Sequence, residues 1–315
     1  MSRLNKTAAA ANTALIEQFS SAAHQKAATE NLQQFTRYRL REEGFTRKLL
    51  PFEKLSDDEL DPQLGSDKPY KIEWKEPQSH GALSIPFAAG PSQFFIRGAN
   101  YPVYFNSIIG PKYIKHLDEL RIYPYDIRSV MTDHVTRDVM DEEDRRFVVD
   151  TLDAAMIGAN QTSPFTNTVQ WKTLNGGWDR NNIIEALKAL PSGVTKTSAK
   201  RAVANNISMM DFLKWGRDEI GGDMSQDLLK AGSGSGVWTS GEFLGTEWFV
   251  TIKDNLVPNG TIYMLSAPEF LGRNYVLTDL TLHSERTGPW VEYYPWETIG
   301  GALGNVGGVA RRDLQ

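Results

Sequence analysis

The chain has 315 residues, of which 40% are hydrophobic and 23% charged, with a formal net charge of −5. That length suggests about two domains of ordinary globular composition, and the mild negative charge gives no global basic field to draw the chain onto nucleic acid or anionic membrane. With no cysteine, disulfides, thiolate zinc sites, iron–sulfur clusters and cysteine nucleophiles are excluded, which fits a reducing cytoplasm.

Residues 1–43 read as helical and are rich in Ala, Gln and Glu, with Leu15, Ile16, Phe19, Leu32 and Phe35 as the large apolar anchors. So few anchors do not bury a helix in its own core, so the segment is expected to lie along another surface, such as a neighbouring subunit. No apolar signal core interrupts this pattern, and no apolar stretch anywhere is long enough to span a bilayer.

Residues 44–100 carry recurrent Pro and Gly with short alternating runs at 70–75 and 82–87. Such alternation predicts two strands, joined through 76–81 as a long hairpin whose thin apolar face needs a partner surface. Lys48, Lys54, Lys68, Lys71 and Lys75 are offset by nearby carboxylates such as Glu53, Glu59 and Glu73, a pattern expected to make ion pairs with a partner subunit. Residues 101–123 read as further strand, with a second alternating run at 120–123 that Pro124 ends.

Residues 126–158 give the clearest helix. Asp126 is placed to cap it. Ile127, Met131, Val135 and Val139 fall four apart, and Val148, Leu152 and Met156 resume the spacing. At 1.5 Å per residue this helix is roughly 50 Å long, several times the usual length. Apolar on one stripe only, it is expected to span a surface. Between the two apolar groups lies Asp141-Glu142-Glu143-Asp144-Arg145-Arg146. A dense carboxylate group of this kind could bind a hard cation. The reading preferred is a solvated face neutralised by the arginines at i+3 and i+4.

Residues 161–272 suggest an α/β unit: helices at 181–190 and 208–220, a glycine-rich loop at 232–236, and strands at 246–252 and 261–265 separated by a turn at 254–260. Alternation returns at 276–283 and 290–296, with a turn at 284–289, before a Gly-rich tail. Trp290, Tyr293, Tyr294 and Trp296 invite a stacking role, but aromatics in a strand more often pack a sheet.

Enzymatic signatures are missing. There is no phosphate-cradling G-x-x-x-x-G-K-[ST], no G-x-G-x-x-G and no H-E-x-x-H. Ser233 and Ser235 lack the glycines of a nucleophile elbow. The five histidines, His24, His80, His116, His134 and His283, are not paired at metal-ligand spacing. No catalytic, cofactor-binding or metal residue is therefore assigned, and no cofactor is expected.

The order of elements resembles the major capsid proteins of tailed bacteriophages, whose α+β shell fold is shared with encapsulins and the herpesvirus capsid floor. LDELRIYPYD at 117–126 looks like the strand-to-spine junction of that family. Glu297-Thr298-Ile299-Gly300, followed by Gly304-Asn305 and Val309-Ala310-Arg311, looks like its usual chain end. The resemblance implies an N-terminal arm at 1–43 and an extended β-hairpin loop at 44–97. It implies a peripheral domain at 98–159 and 273–297 built on a spine helix at 126–158, and an axial domain at 160–272 and 298–315. It further implies a non-enzymatic subunit that assembles as pentamers and hexamers into an icosahedral shell around double-stranded DNA. The DNA would be held by weak non-specific contact, in a virion assembled in the host bacterial cytoplasm, with a portal protein as partner and a decoration protein as a further one. Since the sequence starts at Met1, a separate scaffolding protein, or none, is expected. The Lys–Asn crosslink that some members form is not mapped onto these residues, and a non-covalent shell is expected. Rival readings are an encapsulin-like nanocompartment, a small-molecule α/β enzyme with a deep pocket, and a ring-forming tail or connector component.

Overall fold

The computed structural model describes residues 10–14, 44–75, 93, 95, 99–123, 126–157, 170–193, 196–211, 241–243 and 245–314. The strands are β1 (Phe52–Lys54), β2 (Asp61–Pro62), β3 (Pro69–Lys75), β4 (Ala99–Ile109), β5 (Tyr113–His116), β6 (Trp171–Leu174) and β7 (Arg201–Asn205). They continue with β8 (Gly241–Phe243), β9 (Thr246–Thr251), β10 (Thr261–Leu265), β11 (Gly272–Thr287), β12 (Trp290–Leu303) and β13 (Val309–Leu314). They form two sheets, one ordered β1-β11-β12-β4-β3-β2 with β5 also paired to β12, the other β6-β13-β10-β7-β9-β8.

The first sheet is built around the long β11–β12 hairpin, whose register runs from Gly272↔Leu303 to Thr287↔Trp290. Strand β3 forms where alternation predicted it. Its observed partner is β4, from Tyr70↔Tyr104 to Lys75↔Ala99, while the partner expected at 82–87 lies outside the described residues. Strand β4 then crosses to β12 through Gly300↔Phe105 to Trp296↔Ile109, tying the hairpin base to the sheet.

One expected strand is a helix. Residues Leu117–Ile122 are α-helical: the His116 side chain accepts from the Asp118 N–H at the N-cap, Asp118 and Glu119 sit in the first turn, and Arg121 sits in the last. Acids at the start and a base at the end suit the helix dipole. Leu117 and Leu120, at helical spacing, pack with Ile127, Met131, Val291 and Tyr293.

The spine helix, Ile127–Arg145, continues as a π-helix over Arg146–Asp153 and as α-helix to residue 157. Its first turn draws on the N-terminal segment: the Ile127 N–H donates to Asn12 Oδ1 at 3.2 Å and Asn12 Nδ2 donates to the Tyr123 carbonyl at 3.3 Å. Residues 10–14 thus satisfy an orphan donor of their own chain's helix. In an ideal α-helix a four-residue spacing overshoots a full turn by about 40°, so a long four-apart stripe winds off its surface. A wider π turn takes up the drift.

The helix therefore presents one face to two sheets in succession. Its first half lays Val135 and Val139 on Leu280 and Leu282. Its second half lays Phe147, Val148, Leu152 and Met156 on Val203, Phe249, Tyr263 and Leu265 of the second sheet. Burying a side chain of this size contributes about 1.5–3 kcal/mol. Strand β10 lies at the centre of that sheet and is buried along its whole length. It sends Ile262 and Met264 to the opposite face, against Trp178, Ile183 and Trp248. The helix predicted at 181–190 is Arg180–Lys188. The one predicted at 208–220 is seen as Asn206–Met210, with 212–220 outside the described residues. Strands β6 and β7, which carry too little alternation to be read from sequence, are set by their neighbours.

Candidate functional site

The charged middle of the spine helix is where the structure departs most from the sequence reading. Of its four acids, Glu142 behaves as expected: it accepts from Arg145 Nε at 2.7 Å and Arg146 Nε at 3.1 Å, and these pairs lower its pKa. Glu143 and Asp144 do not lie on a solvated face. Each is 1% exposed, and their partners come from outside the helix.

Arg47, on the short helix Phe45–Leu49, is the centre of the cluster. Its guanidinium bonds Glu143 through Nη2 and through Nε, at 2.9 Å to Oε2, and reaches Glu297 Oε2 on β12 at 3.2 Å. It also lies over the Phe52 ring, 5.1 Å from the centroid. The neighbouring Thr46 donates to Asp144 Oδ1 from its hydroxyl at 2.6 Å and from its N–H at 3.1 Å. Lys253, in the loop after β9, donates to Asp144 Oδ2 at 2.6 Å and pairs with Asp141 at the same distance. One ion-pair cluster therefore joins four parts of the chain: the segment leading into β1, the spine helix, β12 and the β9–β10 loop.

The electrostatics follow from burial. Desolvation, with Glu143 close by, raises the Glu297 carboxyl well above the carboxylate range. For Asp144, burial also raises the pKa, against the pull of Lys253 and Thr46. Arg47 is opposed by desolvation, but Glu143 and Glu297 outweigh it and leave the guanidinium more basic than usual. Buried charges of this kind are tolerated when paired and hydrogen-bonded.

A second cluster fixes the far end of the helix. Tyr263 donates from its hydroxyl to Asp153 at 3.0 Å, and Arg311 Nη1 reaches Asp153 at 3.0 Å and the Tyr263 hydroxyl at 2.9 Å. Asp313 collects Arg311 Nε at 3.0 Å, Thr261 at 2.8 Å and Trp171 Nε1 at 2.5 Å. At the hairpin base Lys71, read as a candidate for partner-subunit pairing, bonds within its own chain to Glu73 at 3.3 Å, and lies over the Tyr275 ring at 4.3 Å.

No nucleophile–base–orienter arrangement emerges from these contacts. The cleft of about 440 Å³ between helix and second sheet is lined by Phe45, Arg137, Asp141, Asp144, Ile252 and Lys253, and its acids are already engaged by Lys253. Among the described residues, no group of three or more His, Asp or Glu is placed to hold a metal, and no helix is long and apolar enough to cross a membrane. The aromatics of β12 divide. Tyr293 is buried against the spine helix side. Trp290 and Trp296 remain partly exposed on the other face, with Ile109 and Ile114, and His116 meets Trp290 edge-on at 4.8 Å.

A long helix packed on two sheets, a β3–β4 pair extending from the first sheet, and charge clusters at the joints make up the fold. No protein-family model matches the chain, and no curated protein matches it. Solved structures do. A chain of a virus-like particle from Pyrococcus furiosus aligns over 90% of this chain and 99% of its own, with TM-score 0.52 and 15% identity. Mycobacterium phage Bobi aligns over 86% of this chain and 90% of its own, with TM-score 0.59 and 12% identity. The capsid of an empty GTA particle computed with C5 symmetry aligns over 85% and 88%, with TM-score 0.54 and 10% identity. At these identities the likeness establishes the fold, the mixed helix-and-sheet fold of capsid shells.

Proposed function

We propose that this chain is a structural subunit that self-assembles, as pentamers and hexamers, into a closed icosahedral shell enclosing double-stranded DNA. The observation that carries the reading is the whole-chain agreement with capsid and particle-forming structures, over 85–90% of this chain and 88–99% of theirs. The exposed apolar side chains Trp74, Ile109, Ile114 and Trp290 of the first sheet fit it, as surface that contact with a neighbouring subunit would bury. In this reading residues 1–43 are the arm, 44–97 the extended loop, 98–159 with 273–297 the peripheral domain, and 160–272 with 298–315 the axial domain. A homo-oligomeric shell of the virion, with portal, scaffolding and decoration proteins as partners, follows from the same reading, as does the lack of catalytic activity.

An encapsulin-like compartment is the second reading, because the Pyrococcus furiosus particle aligns over 99% of its chain. Negative-stain microscopy of the purified chain, followed by nuclease-protected nucleic-acid assay of the particles, tests both. Closed shells holding DNA support the first reading, and closed shells with protein cargo support the second. A stable monomer or a single ring under assembly conditions would overturn both.

A further inference from the structure

Two carboxylates and one guanidinium meet in the cluster around Arg47, and all three are nearly closed to water. The side chains of Glu143 and Glu297 are 0% exposed and that of Arg47 is 8% exposed. Arg47 commits both Nε and Nη2 to Glu143 and spares a single 3.2 Å bond for Glu297 Oε2. Among the described residues, no donor reaches Glu297 Oε1. The groups facing Glu297 are Arg47 from the short helix, Glu143 from the spine helix and Asp279 from β11, three acids against one base. Asp144 beside them is matched by Lys253 and Thr46 and offers Glu297 no cation. A carboxylate in a desolvated site beside a like charge is driven towards its protonated form, and Glu297 is the one left without a full set of donors.

We propose that Glu297 holds a proton in the native state, and that this proton is a switch: when it leaves, the Glu297 carboxylate is repelled by Glu143 beside it and the Arg47 joint between the helix Phe45–Leu49, the spine helix and β12 is loosened. Proton transfer is to bulk water or buffer, with no other reactant. That helix leads directly into β1 and the hairpin beyond, and is held otherwise by Phe45, Leu49 and Leu50 in the apolar core, by Thr46 on Asp144, by Arg201 on the Leu49 carbonyl and by the Asn274 side chain donating to the Leu50 carbonyl at 3.4 Å. The joint between hairpin base and body is thus tightened by acid and loosened by alkali.

The direction follows from linkage. Burial, and then Glu143, raise the Glu297 pKa above its unfolded value. An acid of this kind contributes stability that is fully present below the unfolded value of about 4.3 and is lost as pH rises through the folded value. Asp144 and Asp153 shift in the same sense, chiefly by burial, so the test must isolate Glu297.

Glu297→Gln keeps the shape and the neutral state but has no proton to lose. Urea unfolding of the full chain is measured between about pH 5 and pH 9, with amide exchange of residues 45–50 followed by mass spectrometry after correction for intrinsic rates. Over the titration window, the folding equilibrium constant of the natural chain is expected to fall by about tenfold per pH unit more than that of the variant. Exchange at 45–50 should accelerate with pH in the natural chain and not in the variant. Equal steepness in both proteins overturns the proposal. Should the variant fail to fold, carbon-13 NMR of glutamate carboxyls in the natural chain decides: a glutamate still protonated at neutral pH supports the switch, and ordinary ionisation of every glutamate overturns it.

Discussion

Replacing Arg47 with methionine keeps an unbranched apolar stem and removes the cation that faces Glu143 and Glu297 and lies over the Phe52 ring. With the guanidinium gone, Glu143 has no counter-charge from that helix and cannot stay ionised at 1% exposure. Its cheapest response is to take up a proton. Holding a carboxyl of ordinary pKa about 4.3 protonated at pH 7 costs about 3.7 kcal/mol. That figure lies within the about 3–5 kcal/mol seen when one partner of a buried ion pair is removed. It is also specific about pH: the cost should shrink by about 1.4 kcal/mol per unit, leaving about 1 kcal/mol near pH 5. Urea unfolding of the soluble subunit, followed by tryptophan fluorescence, reads both values. A deficit under about 1 kcal/mol at pH 7 would mean that the site is wet. A large deficit that does not change between pH 5 and pH 7 would mean that lost packing dominates, and the argument from charge would fail.

Three further outcomes use the same assay. Glu142→Ala should change stability by no more than about 0.5 kcal/mol, as a surface pair, whereas Glu143→Ala, one residue on, should cost about 3–5 kcal/mol; equal effects would restore the reading of this segment as one solvated face. Tyr263→Phe removes the hydroxyl that bonds Asp153 and Arg311, and is expected to cost about 1–2 kcal/mol; no loss would show that Arg311 alone satisfies Asp153. Gly260 has φ +84° and an added Cβ would lie 2.5 Å from the Leu314 carbonyl oxygen. Gly260→Ala should therefore cost about 2 kcal/mol or more and speed amide exchange at the end of β13. An unchanged midpoint would show that the turn and β13 relax freely.

The features readable from sequence were those with a period. The four-apart stripe from Ile127 to Val139 marked the spine helix, and strict alternation marked β3 and the two arms of β11–β12. Where local pattern was ambiguous, the sheet or the cap decided. The run at 120–123 alternates well enough to suggest a strand, but His116 and the acids at 118 and 119 form a helix start, and 117–122 are helical. The charge cluster has signals in the sequence. Glu143 continues the four-residue spacing of Val135 and Val139. Glu297 is in phase with Val291, Tyr293 and Ile299, so its side chain points to the buried face of β12. A charge in the phase of a buried stripe marks a buried ion pair, whose partner is not visible until the chain folds.

By itself, then, the sequence determined the spine helix and the strongly alternating strands, the order of elements that resembles a shell subunit, and the absence of recognised enzymatic motifs. It could not determine which of four consecutive acids is buried. That depended on Arg47 and Lys253, about 96 and 109 positions away along the chain from their acids, and on the π turn that keeps one helix face against two sheets. Periodicity is local, because side chains repeat with the backbone. The pairing of charges is not, because desolvation and Coulomb attraction act through space and are set only when distant segments close around them.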